Sequence, residues 1–196
     1  FRQLRAALDA NPALRHDSQK LSEAEILQRI GAKESRAEGL FFPDTYLFAK
    51  NSSDLDVLRR AYRQMQRAVA QEWESRDPKS PYATAYEALI MASIIEKETG
   101  PGSDRPLIGS VFVNRLRNGM LLQTDPAVIY GLGEKFDGNL RKRDLQTDTV
   151  YNTYIRSGLP PTPIALPGLA SIQAALRPAQ TDYLYFVARG DGSSEF

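Results

Sequence analysis

Between Tyr151 and Pro167 the chain reads YNTYIRSGLPPTPIALP. Proline fixes its own φ and removes a backbone donor. Pro160, Pro161, Pro163 and Pro167 therefore bar this stretch from a helix interior or a central strand. A loop of about 17 residues without regular structure is uncommon in a compact domain and is often functional. It has to be laid over a core made by other segments, and its stiffness holds an edge ready for a ligand at low ordering cost. Tyr151, Asn152, Thr153 and Tyr154 stand at its start. Flat rings, an amide and hydroxyls suit a sugar, which needs a face to stack on and edges to bond. The same residues fit a structural cover whose tyrosines pack inward, and the loop alone does not decide between the two.

Hydrophobic residues make up 42% of the 196, enough for one packed domain or a domain with a small appendage, and too many for general disorder. Residues 1–37 are polar and helical in character, with Ser22 and Glu25 in a capping-box pattern ahead of Ile26, Leu27 and Ile30. GLFFPDTYLF, Gly39 to Phe48, predicts short strand or extended segments around a Pro43-Asp44 turn. Ser52 or Ser53 caps a long amphipathic helix to about Ser75, whose inward stripe is Leu55, Leu58, Tyr62, Met65, Val69 and Trp73. A helix through Leu89 to Gly100 follows the Pro78 and Pro81 loop. Beyond the Gly100-Pro101-Gly102 breaker, Asp104 caps another helix, with Leu107, Ile108, Val111, Phe112 and Leu116 inward and Gly119 closing it. Asn114 and Arg115 lie near its end. LLQTDPAVIYGLG, Leu121 to Gly133, mixes strand-like residues with Pro and Gly. Leu169 to Leu176 is a short helix, and Tyr183 to Val187 is a strand entering a hairpin at Gly190-Asp191-Gly192. Helices come first and strand-containing segments follow without βαβ alternation. The class is α+β: a mostly helical N-terminal part, then a mixed region with short strands and the long proline-rich loop.

Composition narrows the chemistry. The formal charge is +1, from 25 basic and 24 acidic residues, so no basic surplus points to nucleic acid. The RKR of Arg141 to Arg143 reads as a solvated turn. With no cysteine, disulfides, thiolate metal sites and a cysteine nucleophile are excluded. The lone histidine, His16, reads as a surface residue, so neither a histidine-based triad nor a zinc site is expected. Phosphate-cradling glycine loops and a dinucleotide fingerprint are missing, and no cofactor or metal is expected. No apolar run approaches the roughly 18–20 residues that span a bilayer. The chain starts at Phe1 without a methionine and stops at Phe196 directly after a turn signal. It reads as a fragment, with room for an anchor or signal on its N-terminal side.

LIMASIIEKETG, Leu89 to Gly100, places two glutamates at the end of an apolar run. At about 100° per residue, with Met91 at zero, Ile94 falls near roughly 300°, Ile95 near 40° and Glu98 near 340°. Glu98 sits within the apolar stripe, whereas Glu96, near roughly 140°, points toward solvent. A carboxyl on an apolar face has its pKa raised, which suits a general acid near neutral pH. Glu98 also fits a last-turn residue reaching water, or an acid paired with an internal arginine. Gln123, Thr124 and Asp125 offer further polar groups beside Tyr130, and Asp125-Pro126 fits an ordinary turn equally well.

EGLFFPDTY, MASIIEKET, VFVNRLRNGMLLQTDPAVIYGLG, YNTYIRSGLPPTPIALPG and YLYFVARGDG together resemble the MltG (YceG-like) family of endolytic murein transglycosylases, in order from about Glu38 to Phe196. Residues 1–37 match only loosely, as part of a linking helical subdomain. The resemblance therefore implies a catalytic domain over 38–196, truncated at its C-terminus. It also implies an N-terminal single-pass inner-membrane anchor and a small LysM-like subdomain, both outside this sequence, with the catalytic domain in the periplasm. The family's essential glutamate aligns with the second of EKET, Glu98, and Glu96 is the fallback one helical step away. Gln123, Asp125, Tyr151, Asn152 and Tyr154 are then candidates for orienting the sugar.

The implied reaction cleaves the β-1,4 bond between N-acetylmuramic acid and N-acetylglucosamine within peptidoglycan strands and leaves a 1,6-anhydro end. Peptidoglycan synthases are implied partners, with nascent strands cut as they grow. One glutamate suffices, because the substrate's own C6 hydroxyl replaces the water and second carboxylate of ordinary glycosidases. Two other readings remain: a glycoside hydrolase with Asp125 as second carboxylate, and a non-catalytic glycan-binding module of the envelope.

Overall fold

The computed structural model describes residues 1–100, 102–191 and 193–196. Pro101 of the predicted breaker and Gly192 of the predicted hairpin turn lie outside them. In chain order the elements are α1 (Arg2–Asp9), β1 (Leu14–Arg15), α2 (Glu23–Ile30), β2 (Ser52–Ser53), α3 (Asp54–Glu74), α4 (Ala85–Glu98), α5 (Arg105–Arg117), α6 (Asp125–Leu132), α7 (Lys142–Leu145), α8 (Leu169–Leu176), β3 (Val187–Ala188) and β4 (Ser194–Glu195). The ladders are two residues long: β1 runs parallel to β2, and β3 antiparallel to β4 with Val187 opposite Glu195. The fold is α+β with helices carrying the core.

Local chemistry sets most helix ends. Ser22 accepts from the Glu25 amide while the Glu25 carboxylate takes the Ser22 amide, so α2 starts on a complete capping box. Ser53 caps α3, and Leu55, Leu58, Tyr62, Met65 and Val69 of its stripe are buried. Trp73 is only partly buried, with the Arg76 guanidinium 4.1 Å above its ring.

α4 runs through the middle of the core. All eight residues from Ala88 to Ile95 are buried, so this helix has no polar face until its last turn. A helix apolar all round is one that other elements surround. α3, α5, α6 and α8 all pack on it. α5 and α8 approach so closely that a Cβ on Gly109 would lie 2.5 Å from the Ala174 carbonyl oxygen, which leaves room for glycine alone.

Several segments depart from the sequence expectation. Leu121 to Gly133 contains a helix, α6, led by Pro126 in its first turn, where a missing N–H costs nothing. Gly39 to Phe48 is irregular and forms no ladder. Asp104 precedes α5 without capping it through its side chain; its carboxylate accepts the Ser194 amide at 3.0 Å and ties down β4. Residues 183–186 have no strand partner. The side chains of Asn114 and Arg115 take the Tyr183 and Leu184 carbonyls instead, so side-chain donors replace a ladder. Arg141 to Arg143 enters the four-residue α7, with Arg141 paired to Asp137 at 2.8 Å.

Candidate active site

The last turn of α4 presents Glu96 and Glu98 to different surroundings. Glu96 was expected in solvent, yet its Oε2 accepts the Gly168 amide at 3.0 Å and the Ser171 hydroxyl at 2.6 Å. Gly168 is the N-cap position of α8, so Glu96 supplies the carboxylate that this helix start lacks. One turn earlier the fully buried Ser93 accepts the Ile164 amide at 2.9 Å. Ser93 and Glu96 thus fasten the second half of the proline-rich loop along α4.

Glu98 is half-buried and faces the other part of that loop. Burial, the largest influence, holds its carboxyl above the ordinary carboxylate value of 4.5. The Thr124 hydroxyl favours the charged form slightly, and the negative charge of Asp125 pushes the pKa further up. Thr124 Oγ1 is buried without a hydrogen bond of normal geometry, which leaves a donor beside Glu98 uncommitted.

Thr124 and Asp125 are put there by a backbone clamp. Gln123 donates its amide to the Thr153 carbonyl at 3.1 Å, and the Thr124 amide donates to Thr153 Oγ1 at 3.0 Å. The clamp brings Asp125 to Tyr154, whose hydroxyl donates to Asp125 Oδ1 at 2.5 Å. Tyr154 lies close enough to Glu98 for the glutamate's charge to disfavour loss of its phenol proton. Burial first, and then the Asp125 contact, raises the Tyr154 pKa and keeps it a donor. Gln123 takes a left-handed φ of 53°, and its Oε1 accepts from Arg115 Nη2 at 2.5 Å. A non-glycine residue held in that region marks a strained, over-determined position.

Asn152 does not belong to this exposed set. It has no exposed surface, its amide donates to the Leu145 and Thr147 carbonyls at 3.0 and 2.7 Å, and its Oδ1 accepts the Tyr154 amide at 2.9 Å. Every polar atom of the side chain is used on backbone. Asn152 positions Tyr154 and cannot reach a ligand from there.

A half-buried glutamate with a raised pKa, next to an Asp-Tyr pair under a stiff loop, is an arrangement able to give and retake a proton. A sequence model of the YceG-like family matches residues 1–196. The chain belongs to the YceG-like family. It is similar to the endolytic murein transglycosylase of Bacillus subtilis (strain 168), 42% identical over 159 residues that cover 81% of this chain and 44% of that protein. The endolytic murein transglycosylase of Streptococcus pneumoniae serotype 2 (strain D39 / NCTC 7466) is 32% identical over 171 residues, 83% of this chain and 31% of that protein. The chain thus spans less than half of the relatives it matches. The crystal structure of a yceG-like protein from Listeria monocytogenes superposes with a TM-score of 0.73 at 32% identity, covering all of this chain and 64% of that one.

Tyr151 of the YceG-like chain lines a cavity of about 960 Å³ together with Arg36, Glu38, Glu96, Lys97 and Tyr130. It stacks edge-on against Tyr130 at 4.8 Å and bonds the Thr162 hydroxyl at 2.8 Å. Of the five substrate candidates, the structure therefore places Asp125 and Tyr154 beside Glu98, ties Gln123 to the same clamp through Thr153, buries Asn152 and puts Tyr151 in this other cavity. His16, expected on the surface, is half-buried. With Asp9 and Asp54 it forms the one group among the described residues able to hold a metal, all ligand atoms lying within 4.8 Å of one another. The Asp54 carboxylate there already accepts the Ser18 amide and hydroxyl.

Two residues of the site escaped the sequence reading. Arg115 is buried at 6% exposure and joins three segments, donating to Leu121 O, Leu184 O and Gln123. Ser93 holds the loop to α4. A polar residue inside an apolar helical run was the available signal for Ser93; for Arg115, near a helix end, there was none.

Proposed function

We propose that the chain carries the catalytic part of an endolytic peptidoglycan lytic transglycosylase, with Glu98 as its single acid-base residue. The observation that carries this reading is the partial burial of Glu98 at the end of a helix buried from Ala88 to Ile95, beside Asp125 and Tyr154. Membership of the YceG-like family and the names of its relatives support it.

Burial favours the protonated form of Glu98, which donates its proton to the glycosidic oxygen of the leaving N-acetylglucosamine. As the bond from C1 of N-acetylmuramic acid to that oxygen breaks, positive charge develops at C1. The Asp125 carboxylate, held by Tyr154, is placed to stabilise it. The C6 hydroxyl of the same muramic acid then bonds to C1 and gives its proton to Glu98, which returns to its starting form. No water is consumed, and closure within one sugar has a large effective-molarity advantage over capture of solvent. Gln123, exposed and fixed by Arg115, serves as a sugar-orienting residue.

A single-pass inner-membrane anchor N-terminal to these residues would hold the site in the periplasm. Among the described residues no helix is long and apolar enough to cross a membrane. Peptidoglycan synthases are the proposed partners, and a pull-down of the membrane-anchored protein without a synthase would count against that pairing. The test of the site is a pair of variants on purified murein. Glu98→Gln keeps size and hydrogen bonding but cannot transfer a proton, so it should lose cleavage while Glu96→Gln retains it. The opposite pattern would move the acid to Glu96.

A further inference from the structure

The segment Tyr183 to Val187 has a feature the reaction as described does not use. Tyr183, Tyr185 and Val187 are 43%, 64% and 68% exposed, while Leu184 is half-buried and Phe186 packs against the core. Tyr183 is braced by Phe196, stacked on it at 6.0 Å, and Phe196 in turn meets Phe186 at 6.1 Å. Phe186 anchors the segment with an edge contact to Phe112 at 5.8 Å. Two exposed rings within residues 183–186, which have no strand partner, are an unusual use of surface unless something lies on them.

The row is joined to the Glu98 site through one residue. The Arg115 guanidinium sits 5.2 Å from the Tyr185 ring centre and covers one face of it. The same guanidinium bonds Leu184 O and the Gln123 side chain, and Gln123 leads directly into Thr124 and Asp125. Among the described residues no carboxylate pairs with Arg115, so this buried cation is spent on positioning. Tyr185 is thereby fixed in orientation, with its second face free.

We infer that Tyr185, with Tyr183 beside it, is a stacking platform for a sugar ring of the glycan strand next to the one being cleaved. The inference rests on the proposed function and extends it to the strand that an endolytic enzyme must hold on both sides of the cut. A pyranose offers an apolar C–H face to an aromatic ring and hydroxyls to polar edges. A ring already held by Arg115 loses little freedom when a sugar lands on it. Two exposed rings two residues apart suit a linear polymer.

The test uses Tyr185→Leu, which keeps an apolar cover without a flat ring, and Tyr185→Phe, which keeps the ring. A binding residue outside the reacting bond acts equally on ground and transition states, so its loss appears in KM rather than kcat. On purified murein, Tyr185→Leu should raise KM about tenfold with kcat within about twofold, and Tyr185→Phe should match the parent. Sedimentation with glycan strands stripped of their peptide stems gives a second readout that needs no cleavage, and Tyr185→Leu should bind correspondingly weakly. Parental KM and binding in Tyr185→Leu, alongside an inactive Glu98→Gln, would overturn the platform and leave the catalytic reading standing. A loss of kcat at unchanged KM, or equal loss in Tyr185→Phe, would also overturn it. Cleavage by Glu98→Gln would instead remove the catalytic reading, and the binding arm would still judge the platform.

Discussion

Asn152 has no exposed surface and makes three hydrogen bonds to backbone, to Leu145, Thr147 and Tyr154. As a sugar-orienting residue, Asn152 would tolerate alanine with lost turnover and unchanged stability; its buried position predicts otherwise. Each bond contributes about 1 kcal/mol net, so Asn152→Ala should cost about 3 kcal/mol before any cavity left by the side chain. For a chain of this size, about 1 kcal/mol shifts the melting temperature by roughly 2–4 °C, which gives a fall of about 6–12 °C. Activity should fall as well, because the Tyr154 amide loses the acceptor that sets its place over Asp125. Thermal unfolding followed by circular dichroism, with turnover measured well below the transition, separates the two effects. A melting shift under about 2 °C with turnover abolished would refute the reasoning and return Asn152 to the ligand groove.

Other consequences follow from the same geometry. Because the folded protein binds the Glu98 proton more tightly than the unfolded chain does, ionising Glu98 costs stability: its contribution is intact below 4.5 and is lost as pH rises through the raised folded value. Glu98→Gln should therefore melt above the wild type at neutral pH, the difference closing below 4.5; a less stable variant at pH 7 would contradict the burial argument. Glu96→Gln removes the charge at the start of α8 and should lose about 0.5–1 kcal/mol by urea denaturation while keeping cleavage. Gly109→Ala forces a methyl against the Ala174 carbonyl and should lose about 1–3 kcal/mol, read as a lower urea midpoint; an unchanged midpoint would mean that α5 and α8 can separate freely.

Legibility followed the range of the forces involved. α2 and α3 were readable because their caps and stripes are local: Ser22 with Glu25, and Ser53 ahead of Leu55, Leu58 and Met65. α4 was readable as a helix but not as an environment. Its apolar stripe pointed to Glu98, yet the helix is buried all round, and Glu98 is covered by segments from Thr124 to Tyr154 that no periodicity could bring near. Glu96 looked solvated because its partners, Gly168 and Ser171, are more than seventy residues away. α6 was hidden by short length and by Pro126, which reads as a breaker until it is counted as a first-turn residue. The 183–186 segment looked like a strand, and only the side chains of Asn114 and Arg115 explain how it stays extended without one.

The central claim is that one carboxyl, Glu98, does both proton transfers with the substrate's C6 hydroxyl as nucleophile. Digestion of purified murein followed by mass analysis of the released strands tests it most directly. The account predicts 1,6-anhydro-muramyl ends, lighter by one water than reducing ends, and none from Glu98→Gln. Reducing ends that take up label from isotopically labelled water would contradict it, and would make Asp125 the base that activates water.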